Sequence, residues 1–406
     1  MNLFRLTAAK AVANTALRWA PPFLPVLEKA FGTTTGQMTT ILGVGEMAGL
    51  STVSVGKFLD RGKERLVMTL ALALISIASL VALIGTTFTF AIGFVMVILG
   101  VANCTVAGHA YISSRVDYST RARSIGLYET SWAFALIIGA PVIAVLIGIF
   151  GWRGPYGMLA VAAALMALLI WRSPETPRLE QTATSTRDAA SSTPNEHTDF
   201  STHASMVDIA ALDAGRSAPG IGALTPQAWL VIIGSSLLAL SGLSVFAISG
   251  TWLDDAFGVS TGGLGAVAMG FGALELLGSM ASAGFADRIG KFRSTVIGTV
   301  LLVAGLGIMS RADSTLWIGI VGILIFLCGF EFGFVTSLSL VTEAMPEARG
   351  TTIALSSGVG TVARGGGTIA SGALYTSHGV SGTLGLSLIA ALLSAAAFTF
   401  SRRAPA

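Results

Sequence analysis

Four charged residues stand inside long apolar stretches of the sequence: Arg18, Glu275, Glu331 and Arg364. A buried charge is costly unless it has a partner of opposite charge or faces a water-filled cavity. The simplest arrangement pairs Arg364 with Glu275 or Glu331 and leaves the other acid over. A leftover carboxylate in a low-dielectric site suits reversible proton binding. We therefore expect Glu275 or Glu331 to carry a proton, and Arg18 and Arg364 to bind a substrate or reset the acid.

Arg18 belongs to a polar face of the first apolar stretch. Asn14 lies four residues before it, so both side chains point to the same side of a helix. Because Arg18 is near the middle of the stretch, we expect it to face a cavity. The alternative is a structural ion pair with Glu46 or Glu129, and Glu46 is itself a candidate for substrate or proton binding.

Four more residues are candidates for binding substrate or protons: Asn103, His109, Glu129 and Trp132. Asn103 and His109 are six residues apart, a rotation of about 600° on a helix, so they do not both face one cavity. His109 is either a proton carrier or a packing residue. Glu129 and Trp132 share a helix face. Glu129 fits both a gate and a proton site, and Trp132 either stacks on substrate or packs.

A charge-rich cluster occurs twice, at 56–65 and at 284–293. Acid and arginine then recur six residues apart further along each half. Because these residues recur at matching positions, the sequence indicates an internal repeat of two halves. The polar residues and glycines at the matching positions are Gly56, Asp60, Arg61, Arg65, Asp117 and Arg123 in the first half, and Gly284, Asp287, Arg288, Arg293, Glu343 and Arg349 in the second.

The two clusters resemble motif A of the major facilitator superfamily, and the similarity covers nearly the whole chain. Asp117 to Arg123 and Glu343 to Arg349 look like the loops after helices 4 and 10 of that superfamily, and Gly151-Trp152-Arg153 looks like the usual start of its helix 6. The resemblance implies two six-helix bundles and gives the loop residues the role of a conformational latch. A role in topology alone is the alternative.

Two motifs bear on a drug-exporter-like branch of the superfamily. Gly139-Ala140-Pro141 is similar to motif C of the antiporters, which favours export, although Ala140 stands where a glycine is expected. Many proton-driven drug exporters have an arginine in helix 4. That place holds Gly100 or Val101 here, so the exporters' coupling mechanism does not transfer directly.

The composition excludes a soluble domain. Of the 406 residues 53% are apolar and 11% are charged, whereas about a quarter are charged in soluble proteins. Counting apolar runs of about 20 residues, we expect an all-α polytopic membrane protein with twelve transmembrane helices in two pseudo-symmetric bundles. The expected helices are 7–30, 38–59, 66–86, 89–114, 123–149, 153–172, 226–253, 262–286, 294–311, 315–342, 349–376 and 380–401.

Charge distribution predicts the topology. Of 24 Lys and Arg, 19 lie at the amino terminus, in even-numbered loops or at the carboxyl terminus, and positive residues favour the cytoplasmic side. Both termini are thus expected to be cytoplasmic, in a multi-pass inner-membrane protein. We expect bundles at 1–172 and 226–406 and a cytoplasmic linker at 173–225.

These patterns predict a secondary active transporter and no enzyme, nucleotide site, metal or cofactor. The expected partners are a small-molecule substrate, a proton or another coupling ion, and the lipid bilayer, with no nucleic acid and one chain acting as a monomer. One hypothesis is proton-coupled export of amphipathic or cationic compounds. Another is transport of organic anions on Arg18 and Arg364. A membrane receptor or lipid scrambler on the same fold is a third.

Overall fold

The computed structural model describes residues 2–50, 55–174, 224–312, 315–345 and 348–403, and these ranges contain helices and no strand. The first half contains α1 (Leu3–Arg18), α2 (Leu24–Phe31), α3 (Thr35–Ala48), α4 (Gly56–Asp60), α5 (Glu64–Ala82), α6 (Thr87–Arg115), α7 (Tyr118–Glu129), α8 (Ser131–Ile137), α9 (Gly139–Phe150) and α10 (Arg153–Trp171). The second half contains α11 (Pro226–Phe257), α12 (Thr261–Ile289), α13 (Lys291–Met309), α14 (Leu316–Glu343), α15 (Arg349–His378) and α16 (Val380–Ser401).

The first expected helix, 7–30, is broken, so that prediction was wrong. Helix α1 ends at Arg18, and α2 begins at Leu24 with Pro25 in its first turn. Pro21 and Pro22 lack the amide hydrogen that a continuous helix needs, whereas proline is well tolerated in a first turn. The break lies directly after Arg18, at the point where the two halves of the chain meet.

The second and fifth expected helices are also segmented. Helix α3 ends at Ala48, and residues 51–54, inside the expected 38–59, lie outside the described ranges. The expected 123–149 consists of α7, α8 and α9, which meet at Thr130 and Ile138. Pro141 removes a backbone donor near the second break. The break at Thr130 lies between Glu129 and Trp132, two of the candidate residues.

Nine helices of the described ranges are long and apolar enough to cross a membrane. The predicted helices without such a counterpart are the first, the second and the eleventh, where α15 is long but rich in glycine, serine and threonine. The nine are Glu64–Ala82, Thr87–Arg115, Arg123–Phe150, Arg153–Trp171, Pro226–Phe257, Thr261–Ala286, Lys291–Met309, Leu316–Glu343 and Val380–Ser401.

The two halves pack against each other through α3 with α15, and through α8 and α9 with α12. Glycines allow the backbones of α3 and α15 to approach closely. A Cβ atom on Gly365 would lie 2.6 Å from the carbonyl oxygen of Gly43. A comparable approach brings Gly272 of α12 against α8, where a Cβ atom would lie 2.7 Å from the carbonyl oxygen of Ala133.

The halves are also joined at the end of α1 and α2 remote from the amino terminus, which we name the opposite face. Lys29 Nζ lies 2.9 Å from Asp254 Oδ2, and Thr251 Oγ1 donates to Glu28 Oε1 at 3.1 Å. Gly250 packs against the carbonyl oxygen of Pro22. We name the end where α1 begins the amino-terminal face. The halves are therefore in contact both at the opposite face and along α3 and α15.

Helix α10 ends at Trp171 and α11 begins at Pro226. The expected linker at 173–225 lies between them, and its residues 175–223 fall outside the described ranges. The domain boundaries therefore stay a prediction.

Candidate functional site

A cavity of about 260 Å³ lies between the two halves. Residues of α1, α3, α6 and α8 line it from the first half, and residues of α11, α12, α14 and α15 from the second. Six of the ten residues predicted to bind substrate or protons line this cavity: Arg18, Glu46, Trp132, Glu275, Glu331 and Arg364. The helices therefore bring together side chains that are up to 346 positions apart (364 − 18) in the sequence.

Arg18 forms a buried ion pair across the halves. Its Nη2 donates to Glu275 Oε1, and the two side chains are 4% and 9% exposed. Nη1 donates to the carbonyl oxygen of Trp132 at 2.7 Å, and the guanidinium lies 4.3 Å from the centre of the Trp132 ring. Phe246 contributes a second ring at 5.8 Å. The guanidinium is thus fixed by one charge, one carbonyl and two aromatic faces.

Arg364 forms the second pair across the halves. Its Nε lies 3.4 Å from Glu46 Oε2, and its Nη2 donates to Thr361 Oγ1 at 3.0 Å. The Arg364 and Glu46 side chains are 28% and 25% exposed, so this pair is wetter and looser than that of Arg18. The expected pairing of Arg364 with Glu275 or Glu331 was wrong, as was the alternative of Arg18 with Glu46 or Glu129. The reason is that depth in an apolar stretch does not reveal which half a side chain faces.

The two acids hold similar places in the repeat. Glu46 lies 14 residues before Asp60 (60 − 46), and Glu275 lies 12 residues before Asp287 (287 − 275). Each acid comes from the second predicted helix of its half and reaches an arginine of the other half. The two pairs therefore cross the boundary between the halves in opposite senses.

Glu331 is the third acid of the cavity. Ser279 Oγ donates to Glu331 Oε1 at 3.1 Å and to the backbone carbonyl of Glu275 at 2.9 Å. Glu331 is 3% exposed. One serine of α12 therefore connects the carboxylate of Glu331 on α14 to the helical turn that carries Glu275.

Lys10 is the charged residue of the cavity lining that sequence reasoning missed. It was counted among the positive charges of the amino terminus, yet it is 2% exposed and lines the cavity. Its Nζ lies 2.5 Å from Glu129 Oε1, and His109 Nε2 lies 2.6 Å from the same oxygen. The available signal was spacing: Lys10, Asn14 and Arg18 lie at intervals of four on one helix face.

The remaining candidates lie on α1, α6 and α7, outside the cavity lining. Asn14 Nδ2 donates to Ser131 Oγ at 3.2 Å, between the Lys10 and Arg18 levels of α1. Asn103 Nδ2 donates to the carbonyl of Leu99, one turn back in its own helix. The structure thus places Asn14 in a polar contact between helices and Asn103 in a local one.

Arg65 and Glu343 of the expected latch make side-chain contacts within the described ranges. Arg65 Nη1 donates to the carbonyl of Ser173 at 3.1 Å, and its guanidinium lies 5.4 Å from the centre of the Trp171 ring. In the second half Lys291 pairs with Glu343. Both contacts lie near the amino-terminal face.

The other latch residues lie around these contacts. Gly56 begins α4, and Asp117 precedes α7 without a side-chain capping bond. The exposed members are Arg61, Asp117, Arg123, Gly284, Arg288 and Arg293. The side chains of Asp60, Asp287 and Arg349 lie outside the described part of the structure. The latch role stays a prediction.

The fold is shared with solved transporters. The chain superposes on the crystal structure of a bacterial homologue of the human lysosomal transporter Spinster, in an inward-facing, unoccupied conformation, with a TM-score of 0.78 and 15% identity over 99% of this chain and 96% of that one. It superposes on a D-xylose–proton symporter with a TM-score of 0.73 and 15% identity over 98% and 96%. Identities this low show the fold alone.

Sequence comparison identifies curated relatives over part of the chain. The inner membrane transport protein YnfM of Escherichia coli K12 is 27% identical over 177 residues, 42% of each chain. The uncharacterized transporter YwfA of Bacillus subtilis 168 is 27% identical over 134 residues, 32% of each chain. The chain thus aligns with less than half the length of these relatives. The profile of the Major Facilitator Superfamily, by contrast, matches residues 6–368. With its helical fold and the cavity between two halves, the chain belongs to the Major Facilitator Superfamily of membrane transporters.

Proposed function

We propose that this protein is a secondary active transporter that moves a small organic molecule by alternating access and couples the movement to protons. The observation that carries the proposal is the crossed pairing at the cavity, Arg18 with Glu275 and Arg364 with Glu46. Both pairs join opposite halves, so both depend on how the halves are placed. Rocking of two halves around a central site is the general mechanism for such repeats.

Protonation of Glu275 is the coupling step that this geometry supports. Removing one partner of a buried ion pair costs about 3 to 5 kcal/mol because the other charge is left uncompensated. A proton on Glu275 cancels its charge and weakens its attraction for Arg18, which then needs a new partner. Glu331 is linked to the turn of Glu275 through Ser279, so its carboxylate can supply the negative charge near α12 once Glu275 is protonated. Proton occupancy and the separation of the halves are thereby linked.

The cavity lining favours an amphipathic substrate. Apolar and aromatic side chains surround the charged pairs, among them Phe94, Phe246, Phe330 and Phe334. A cation on such a substrate would compete with Arg18 or Arg364 for a carboxylate, which makes substrate binding and proton binding alternatives. The similarity of Gly139-Ala140-Pro141 to motif C supports export as the direction.

Transport of an organic anion is the second candidate function. Arg18 and Arg364 both line the cavity, and guanidinium groups bind carboxylates through two parallel hydrogen bonds. An anionic substrate would have to displace Glu275 or Glu46. It would therefore bind best when that glutamate carries a proton, and substrate and proton would move together.

The orientation completes the proposal. Positive residues at the amino terminus and in the even-numbered loops support cytoplasmic termini in an inner membrane. Because Lys29 with Asp254 and Glu28 with Thr251 join the halves at the opposite face, we take the structure in this orientation to represent a state open toward the cytoplasm. The charged loops act as the latch of the other state, and one chain, a monomer, contains the whole cavity.

The test is proton flux in proteoliposomes that contain a pH-sensitive dye. The parent chain is compared with Glu275→Gln and Glu331→Gln, with Glu196→Gln of the 173–225 segment as a matched control. Tetraphenylphosphonium, ethidium, benzoate and lactate are added outside in turn. We expect at least one compound to move protons in the parent and the control but not in Glu275→Gln. Passage of labelled compound without any proton movement would refute coupling.

Arg18→Lys separates the two candidate substrates, because lysine keeps the charge and loses the planar fork of donors. Retained binding with weakened proton coupling supports the amphipathic or cationic substrate. Loss of binding supports the organic anion.

A further inference from the structure

A second charge system lies entirely within the amino-terminal half. It consists of Lys10 on α1, His109 on α6 and Glu129 on α7, and we name it the triad. The three side chains are between 2% and 6% exposed, and both basic groups contact the same oxygen, Glu129 Oε1, at 2.5 and 2.6 Å. The proposed coupling through Glu275 makes no use of these groups.

The triad has the composition of a proton-binding site. Lys10 and Glu129 cancel one another, so the cluster is neutral when the His109 ring is neutral. One added proton turns the ring into an imidazolium and gives the cluster a single positive charge, with no other bond broken. Glu129 Oε2 is buried and accepts no hydrogen bond from the described residues, so the carboxylate retains capacity to stabilise that charge.

Glu129 is a carboxylate in direct contact with His109, and the ring also packs against an aromatic side chain. Tyr128 packs edge-on against the ring at 5.2 Å, and its hydroxyl donates to the carbonyl of Cys104 at 3.1 Å. The neighbouring helices α3 and α5 also carry acids that lie near α6. Of these, Glu46 of α3 pairs with Arg364, and Glu64 of α5 pairs with Arg115 of α6 itself.

A polar route connects the triad with the cavity. Lys10 lines the cavity directly. Along α1, three successive turns bond to α7 and α8: Lys10 to Glu129, Asn14 to Ser131, and Arg18 to the carbonyl of Trp132. The guanidinium of Arg18 also donates to Glu275. The triad is therefore open to protons from the cavity.

We propose that His109, held by Glu129 and Lys10, is a second proton-binding site of this protein, loaded from the cavity at Lys10. This inference deepens the proposed function and rests on it for its role in transport. Because all three partners belong to one half, the site keeps its geometry while the halves move. It would therefore bind a proton in either state of the transport cycle.

The test follows the His109 ring by NMR and needs no substrate. The chain has four histidines, so the triple variant H197N/H203N/H378N leaves His109 as the only histidine. Protein labelled with 13C-histidine is titrated in nanodiscs from about pH 5 to about pH 9, the range in which histidines ordinarily change charge. We expect the ring signals to move through one transition. Signals that stay constant over this range overturn the proposal.

Two further variants test whether the triad controls the transition. Glu129→Gln removes a negative charge from the ring contact and Lys10→Met removes a positive one, so we expect them to shift its midpoint in opposite senses, by about one pH unit or more. A midpoint that neither variant moves would show that His109 titrates without the triad and would also overturn the proposal. Passage of a labelled compound without proton movement in the parent chain would refute the proposed coupling and leave this titration unaffected, so the two failures are distinguishable.

Discussion

Two buried charge systems in this molecule use the same chemistry and differ in which helices carry their partners. Arg18 and Glu275 come from different halves, whereas Lys10, His109 and Glu129 all come from the first half. Breaking either one leaves a buried charge uncompensated. Only the first can report on how the halves are placed. We therefore expect that location relative to the boundary between the halves, rather than burial, decides whether an ion pair couples to conformational change.

The largest loss of stability is expected from Glu129→Gln. Lys10 and His109 both contact the carboxylate oxygen that this change makes neutral, and Lys10 remains buried. We expect the free energy of unfolding to fall by about 3 to 5 kcal/mol. Thermal unfolding in detergent measures the loss. A fall below about 1 kcal/mol would show that the triad is not a charged cluster.

A loss near the lower end of that range, about 3 kcal/mol, is expected from Glu275→Gln. Glutamine retains a hydrogen bond to Arg18, and Trp132 continues to contact the guanidinium through its carbonyl and ring. In contrast to Glu129→Gln, this variant should also shift the balance between states open at either face. The same thermal assay measures stability, and trypsin cleavage at exposed loops follows the shift. Unchanged cleavage would contradict the assignment of this pair to the boundary.

Crowding the boundary without changing charge gives the third prediction. Gly365→Ala places a Cβ atom 2.6 Å from the Gly43 carbonyl, so α3 and α15 must separate. Overpacking of this kind costs about 1 to 3 kcal/mol. Gly366→Ala is the matched control, because a Cβ atom there meets nothing within 4 Å. The two variants are compared by thermal unfolding, and equal stabilities would show that the helices are not in close contact.

The smallest charge effect at the cavity is expected from Glu46→Gln. Its pair with Arg364 is 3.4 Å long and about a quarter exposed on both sides, so water takes over part of the lost interaction. We expect a loss of about 1 kcal/mol or less, as for solvent-exposed ion pairs. A loss as large as that of Glu275→Gln would mean that the two crossed pairs are equivalent in energy.

Much of the fold could be predicted from the sequence. The resemblance of the charged loops to motif A indicated the superfamily, and the repeat and the length of the apolar runs indicated two helical bundles. They also gave the boundaries of α16 at residues 380 and 401. The breaks after Arg18 and at Thr130 were missed. The length of an apolar run does not show where prolines or local packing interrupt the backbone hydrogen bonds of a helix.

The candidate site was predicted less completely. Residue type and depth in an apolar run singled out Arg18, Glu275, Glu331 and Arg364, and all four line the cavity. Their partners were wrong, because pairing depends on helix rotation and on which half each helix faces. Lys10 was missed because a lysine close to an amino terminus is ordinarily a topology signal. Its spacing from Asn14 and Arg18 carried the information.

The most direct test of the comparison is a distance across the halves at the opposite face. Spin labels are placed at Phe88 and Gly262, both exposed near that face, in a C104A/C328A background in nanodiscs. We predict that Glu275→Gln shifts the distance distribution toward longer values and that Glu129→Gln leaves it unchanged, although it destabilises the protein more. A longer distance in Glu129→Gln with no change in Glu275→Gln would contradict the account, as would equal shifts in both.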